Sequence, residues 1–257
     1  AASATTDLNG NATLIACNKI LDGMKQVAAK DLGCDSSAIS IKDAKVLREG
    51  SDTGLSWSEL VSKTYMSRVP LMAHGFYTPP NIHFDGVKGY GRPFHYYTYG
   101  TCIVEANVDC LRGVYTIESA RLTHDLGRGI IPSVDLGQVE GGLAQGIGWV
   151  TLEELKFSDD GRLLSNALST YKCPDGDFLP DDMDVRFLEN ADNPGGPLGS
   201  KAVGEPPFMY GIAAFFAIRN AIHAFSPVES SETVCPLTPE QTLKLLYPKF
   251  SYSKSIA

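Results

Sequence analysis

Between residues 11 and 32, Leu14, Ile15, Cys17, Ile20, Leu21, Met24, Val27 and Ala28 recur at helical spacing and stop before Gly33. This predicts one long amphipathic helix with a glycine C-cap. Its entry, SATTDLNGN, is rich in hydroxyl and acidic residues and reads as a capped helix N-terminus. The free N–H groups there suit ordinary capping or an anion. Residues 38–48 predict a short strand and 55–68 a second helix, and 77–94, with three prolines and three glycines, a long loop. From residue 95 the pattern turns to strands: HYYTYGTCIVEANVDC and VYTIESARLTHDL, joined at CLRG, predict a hairpin. A helix follows with a capped start near Asp135, then a turn at SDDGRLLS and a strand at MDVRFLEN. The last helix, LTPEQTLKLLY, has Thr238 as cap and Pro239 in its first turn. Helices and hairpins in separate runs predict an α+β fold, mixed helices with an antiparallel or mixed sheet.

Two stretches carry candidate chemistry. In GSKAVGEPPFMYGIAAFFAIRNAI, residues 199–222, the prolines push Glu205 out of the helical region and specify a chain bend. Beyond it the side chains from Phe208 to Ile222 leave little polar face, which predicts a helix buried in a core. Glu205 is then either a helix cap, one half of an ion pair with a cation such as Lys201, or a desolvated general base. The second stretch is the helix after Asp135, which holds Gly137, Gly141, Gly142, Gly146 and Gly148. Each glycine costs a helix up to about 1 kcal/mol relative to alanine. Close approach of a neighbouring backbone or of a ligand is the expected compensation. Neither GxGxxG after a strand nor GxxxxGK[ST] is present, so these are not nucleotide-phosphate loops.

With 257 residues, 43% of them hydrophobic, the chain can build one large core or two modest ones. A net charge of −8 and a pI near 5.1 disfavour nucleic acid or an anionic membrane as partner. No run of about 18 apolar residues is evident, so no membrane-spanning helix is expected. AASATTDLNG has neither the basic nor the apolar part of a signal peptide, nor an initiating Met, and reads as the start of a cleaved or interior piece. The cysteines at 17, 34, 102, 110, 173 and 235 form no CxxC pair and no Cys/His cluster. Reduced thiols in a cytoplasmic protein are expected. The histidines, His74, His83, His95, His124 and His223, are dispersed, and none is singled out for chemistry.

SKAVGEPP, DLGQVEGGLAQGIGW with the following TLEEL, and TTDLNG together resemble the C-terminal molybdenum-domain portion of the xanthine dehydrogenase and aldehyde oxidase family. GRPFHYYTYG, EANVDCLRG and LSTYKCP also resemble that family, so the likeness covers nearly the whole chain. It is most similar to the bacterial type of xanthine dehydrogenase. The resemblance implies a molybdopterin-binding fold of the molybdenum hydroxylase type, with residues 1–257 forming the C-terminal part of that domain. It implies Glu205 as catalytic base and Gln138 as a hydrogen-bonding partner of the pterin. Ala2, Ser3, Thr5 and Thr6 would wrap the cofactor, Ala2 through its backbone beside the metal, with no side chain ligating molybdenum. The implied activity is hydroxylation of a purine, hypoxanthine or xanthine to urate, with water as oxygen source. Aldehyde or other N-heterocycle hydroxylation, or a non-catalytic scaffold, are the alternatives. Since the pocket is incomplete here, other segments or subunits are expected to supply its remainder, two [2Fe-2S] clusters and FAD, in a dimer of the complete assembly.

Overall fold

The computed structural model describes residues 4–227 and 234–249. They form two compact units. The first runs to His95 and takes in Gly195–Pro197; the second comprises Tyr96–Pro194 and continues from Leu198.

In the first unit, α1 spans Asn11–Leu32 and ends at Gly33, whose left-handed φ of 63° confirms the predicted glycine cap. The start differs from expectation. Thr6–Gly10 is a π-helical turn that continues into α1, and neither Thr5 nor Gly10 makes a side-chain cap. The predicted strand at 38–48 is two strands, β1 (Ile39–Lys42) and β2 (Lys45–Arg48), because Asp43 and Ala44 take positive φ and reverse the chain. β3 (Ser51–Ser56) completes an antiparallel sheet in the order β1-β2-β3. α2 (Trp57–Met66) opens on a full capping box, the Ser56 side chain accepting from the Glu59 N–H and Glu59 reaching back. The apolar stripe of α1 supplies Met24, Ala28 and Ala29 to a core closed by Ile39, Val46 and Leu60. The stretch predicted as loop contains a short exposed hairpin, β4 (His83–Asp85) with β5 (Tyr90–Arg92).

In the second unit, the predicted hairpin at CLRG forms β6 (Gly100–Asp109) and β7 (Val114–His124), in antiparallel register from Gly100↔His124 to Asp109↔Val114. β8 (Asp182–Phe187) pairs parallel to β7, giving a mixed sheet in the order β6-β7-β8. The crossover between β7 and β8 contains α3 (Pro132–Thr151), which begins at the proline rather than near Asp135. Asp135 still serves the entry, since its carboxylate accepts from the Ile131 N–H at 3.0 Å. Val139, Leu143, Ile147 and Val150 recur at helical spacing on α3 and bury against Ile117, Ala120 and Leu122 of β7. Burial of each such Leu or Ile side chain stabilises by roughly 1.5–3 kcal/mol. α5 (Pro239–Leu246) has the expected Thr238 cap and Pro239 in its first turn.

The apolar stretch after Glu205 departs from expectation in two ways. It divides into a 3₁₀ helix, Pro206–Gly211, and α4 (Ile212–Phe225), and only one face is buried. Ala214, Phe215, Ile218 and Ile222 enter the core, while Met209, Phe216 and Phe225 are more than half exposed. The 20 residues Pro206–Phe225 are, by length and composition alone, apolar enough to cross a membrane, which corrects the expectation that none is. A helix that builds a protein core meets the same criterion, and the inward stripe of α4 does so here.

Candidate functional site

The site grows from the end of β7. After His124 the chain runs Asp125-Leu126-Gly127-Arg128 and meets the returning strand at Gly199–Lys201. Gly127 and Gly199 both have positive φ, and an added Cβ on Gly127 would lie 2.5 Å from the Gly199 carbonyl oxygen, so the two backbones touch where only glycine fits. Arg128 N–H donates to Gly199 O at 2.9 Å, and Lys201 N–H donates to Leu126 O at 2.8 Å. The Asn193 side-chain amide donates to Ser200 O at 3.0 Å, and Ala202 N–H donates to the Tyr96 hydroxyl at 2.8 Å. This anchored segment delivers Glu205.

Glu205 caps the 3₁₀ helix Pro206–Gly211 and is exposed in this chain. The expected bend is present at Gly204 and Glu205, and Glu205 stays outside the helix as its cap, but it does not leave the helical region: it takes φ −78° and ψ −40°. The prolines occupy the first two helical positions, where no N–H is required, so the helix accommodates them with Glu205 at its start. Lys201 pairs its ammonium with the buried Asp125 at 2.5 Å.

Behind this segment, α3 explains its glycines in two groups. A Cβ on Gly142 would stand 2.8 Å from the Gly204 carbonyl oxygen, and one on Gly146 would collide with the Phe208 carbonyl. Gly148 lies equally close to Pro174 and the Glu153 carboxylate. Backbone approach therefore accounts for Gly142 and Gly146, and a proline ring with a carboxylate side chain for Gly148. Gly137 and Gly141 instead face open space, with no atom within 4 Å of an added Cβ. Gln138 lies on the same exposed strip. Gly142, one turn beyond Gln138, closely approaches Gly204, the residue before Glu205, so the Glu205 segment packs against α3 one turn from Gln138.

Thr5 and Thr6 are exposed in the first unit, in the helical lead-in to α1. Ala2 and Ser3 lie outside the described residues. Among the described residues no group of three or more His, Cys, Asp or Glu is arranged to hold a metal ion.

Four side chains of this region escaped sequence reasoning as a group. His124 is fully buried and its Nδ1 lies 2.8 Å from the Tyr210 hydroxyl. Burial pushes the imidazole down to about 4, assisted by Lys201 and opposed by Asp125, so it is neutral at physiological pH. Burial likewise pushes Tyr210 up to about 12. Asp125 Oδ1 accepts from the Gly127 N–H at 3.0 Å while Oδ2 takes Lys201. The adjacent His124 and Asp125 at the end of a strongly β-patterned run are a sequence signal, but nothing local pairs them with residues 76 and 86 positions away.

A family profile described as "Molybdopterin cofactor-binding domain" matches residues 1–180. The chain is 39% identical over 252 residues to xanthine dehydrogenase of Oryza sativa subsp. japonica, covering 94% of this chain and 17% of that protein. It is 40% identical over 225 residues to xanthine dehydrogenase of Drosophila pseudoobscura pseudoobscura, covering 87% of this chain and 15% of that protein. Its fold matches a reconstituted CO dehydrogenase from Oligotropha carboxidovorans with a TM-score of 0.78 at 23% identity, covering 95% of this chain and 29% of that chain. The chain thus spans under a fifth of the length of the curated relatives it matches.

Proposed function

The chain belongs to the molybdopterin cofactor-binding domain family, as a fragment of the molybdenum hydroxylase type, and from that premise we propose that it supplies one wall of the cofactor pocket and the base of a purine hydroxylase. The observation that carries this reading is the exposure of Glu205 on a backbone-anchored segment beside the bare strip of α3 that bears Gln138.

The donor set fits such a cofactor. A pterin presents donors and acceptors on a planar edge, and the primary amide of Gln138 offers both. Gly137 and Gly141 leave the helix surface beside it free of side chains. Gln138 would hold the pterin, and Ala2, Ser3, Thr5 and Thr6 are assigned to the cofactor by the family resemblance. When bound, the molybdenum cofactor supplies a Lewis-acidic, two-electron-accepting centre.

The role of Glu205 is to take a proton through its carboxylate from the water-derived nucleophile. The oxygen so activated is directed at an electron-poor carbon beside nitrogen, in hypoxanthine or xanthine, where a C–O bond replaces the C–H bond whose electron pair the cofactor would accept. In this chain alone the carboxylate is exposed; the rest of the enzyme closes over it and excludes water. The remaining pocket wall, two [2Fe-2S] clusters and FAD come from other segments or subunits, in a cytoplasmic dimer of the complete assembly.

The test is Glu205→Gln in the complete enzyme, which keeps the shape and removes the base. A general base contributes typically about 10²–10⁴-fold, so turnover of xanthine falls by that factor while molybdenum content stays at the parent level. Unchanged turnover would refute the base assignment and leave a scaffold role. Parent enzyme that leaves xanthine untouched and oxidises an aldehyde or another N-heterocycle would refute the purine assignment.

A further inference from the structure

Glu205 is gripped on both sides by neighbours in the sequence of one strand end. His124 and Asp125 are consecutive, both almost wholly buried, and each reaches a different point of the Glu205 segment. Asp125 holds Lys201, four residues before Glu205, with Nζ 2.5 Å from Oδ2 and side-chain exposures of 13% and 2%. Its other oxygen is fixed by the Gly127 N–H at 3.0 Å, so the carboxylate has one orientation. His124 holds Tyr210, five residues after Glu205, through Nδ1 at 2.8 Å, with the rings edge to face at 5.7 Å between centroids.

We propose that Asp125–Lys201 and His124–Tyr210 are positioning pairs, a two-point clamp that fixes the Glu205 backbone relative to the sheet. The inference rests on the reading of Glu205 as the base. Its physical ground is that a base must be placed to a fraction of an ångström, since a displacement of about 1 Å can cost about 10²-fold in rate. The Glu205 side chain is exposed, and where its backbone is tied sets the point from which its carboxylate reaches. Lys201 and Tyr210 bracket Glu205 and the two prolines, and their anchors are the last residue of β7 and the residue that follows it. A buried ion pair adds little to stability compared with a well-packed apolar pair, whereas one used to fix a geometry is a recognised arrangement.

The experiment uses the complete enzyme carrying Asp125→Asn with Lys201→Met, which removes both charges and leaves no lone buried ion. We expect kcat to fall about 10- to 100-fold. KM for substrate stays within about twofold, because uniform binding is untouched. Molybdenum content per chain stays at the parent value, and amide hydrogen exchange across residues 200–205 speeds up. Lys201→Arg, which keeps the charge pair, retains most of kcat. Parent-like kcat and parent-like exchange in the double variant, with Glu205→Gln inactive, would overturn the clamp and leave the base reading intact. Turnover surviving in Glu205→Gln would overturn the base reading and this inference with it. If the double variant does not accumulate, Tyr210→Phe decides the matter: it removes one hydroxyl from a packed ring, and an unchanged kcat and exchange across 205–211 would overturn the clamp.

Discussion

Gly146 of α3 and Gly211 at the end of the 3₁₀ helix are in backbone contact: a Cβ on Gly146 would stand 3.1 Å from the Gly211 Cα, and one on Gly211 would overlap the Gly146 carbonyl. This contact sets how near the Glu205 segment lies to α3. It also separates two kinds of glycine on that helix by what an added methyl group would meet.

Gly146→Ala should therefore destabilise by about 1–3 kcal/mol, because its methyl group has backbone on the other side and no side chain that can swing away. Gly141→Ala should stabilise this chain by up to about 1 kcal/mol, since its methyl group meets nothing and alanine favours helix. Denaturant midpoints of the two variants should move in opposite directions. Shifts of the same sign would contradict the division.

Breaking the buried ion pair from one side should cost more than removing it whole. Asp125→Asn leaves the Lys201 ammonium, 13% exposed, without its counterion, at a cost of about 3–5 kcal/mol. Adding Lys201→Met to it should restore most of that stability. Thermal unfolding of both variants checks the order; a double variant weaker than Asp125→Asn alone would refute it.

His124 gives the fold a specific acid sensitivity. The unfolded chain takes up a proton there below about pH 6.5, whereas burial keeps the folded imidazole neutral down to about 4. Stability is therefore lost as pH falls from about 6.5 to about 4, by roughly 3 kcal/mol in all. The charged and titratable groups facing the ring are Asp125, Lys201 and Tyr210. The stability of the parent minus that of His124→Gln should decline across that window. A difference independent of pH would show that His124 is not the titrating group.

The thiols should divide by burial. Desolvation pushes Cys102 up to about 11, so little thiolate forms at pH 8, while Cys17 and Cys173 are exposed. Alkylation with iodoacetamide, followed by mass spectrometry, should modify Cys17 and Cys173 long before Cys102. Equal rates at Cys102 and Cys17 would contradict the packing of β6 against the core.

Much of the fold was legible because its signals are local. The span of α1, its glycine cap, the β6–β7 hairpin and the Thr238 cap all follow from residues within a few positions of one another. Errors occurred where local signals were ambiguous or overruled. Hydroxyl-rich SATTDLNGN signalled a capped helix start, and the structure instead continues the helix through Thr6–Gly10 with no side-chain cap. The prolines after Glu205 signalled a bend and an exit from helical backbone; the chain does bend there, yet Glu205 keeps helical φ and ψ because two prolines at the first helical positions lose nothing by being there.

The sequence by itself determined the class of elements, their order and the two residues, Gln138 and Glu205, that resemblance marks for chemistry. It also carried the question of the α3 glycines without answering it. Only the tertiary structure decided that Gly142, Gly146 and Gly148 accept close neighbours while Gly137 and Gly141 stay bare. The same is true of Asp125 as the ion-pair partner of Lys201, and of Tyr210 as the partner of His124. Hydrogen-bonded turns, caps and periodic stripes are written over three to eleven residues; which buried polar group finds which partner depends on strands and helices far apart in the chain arriving at one place.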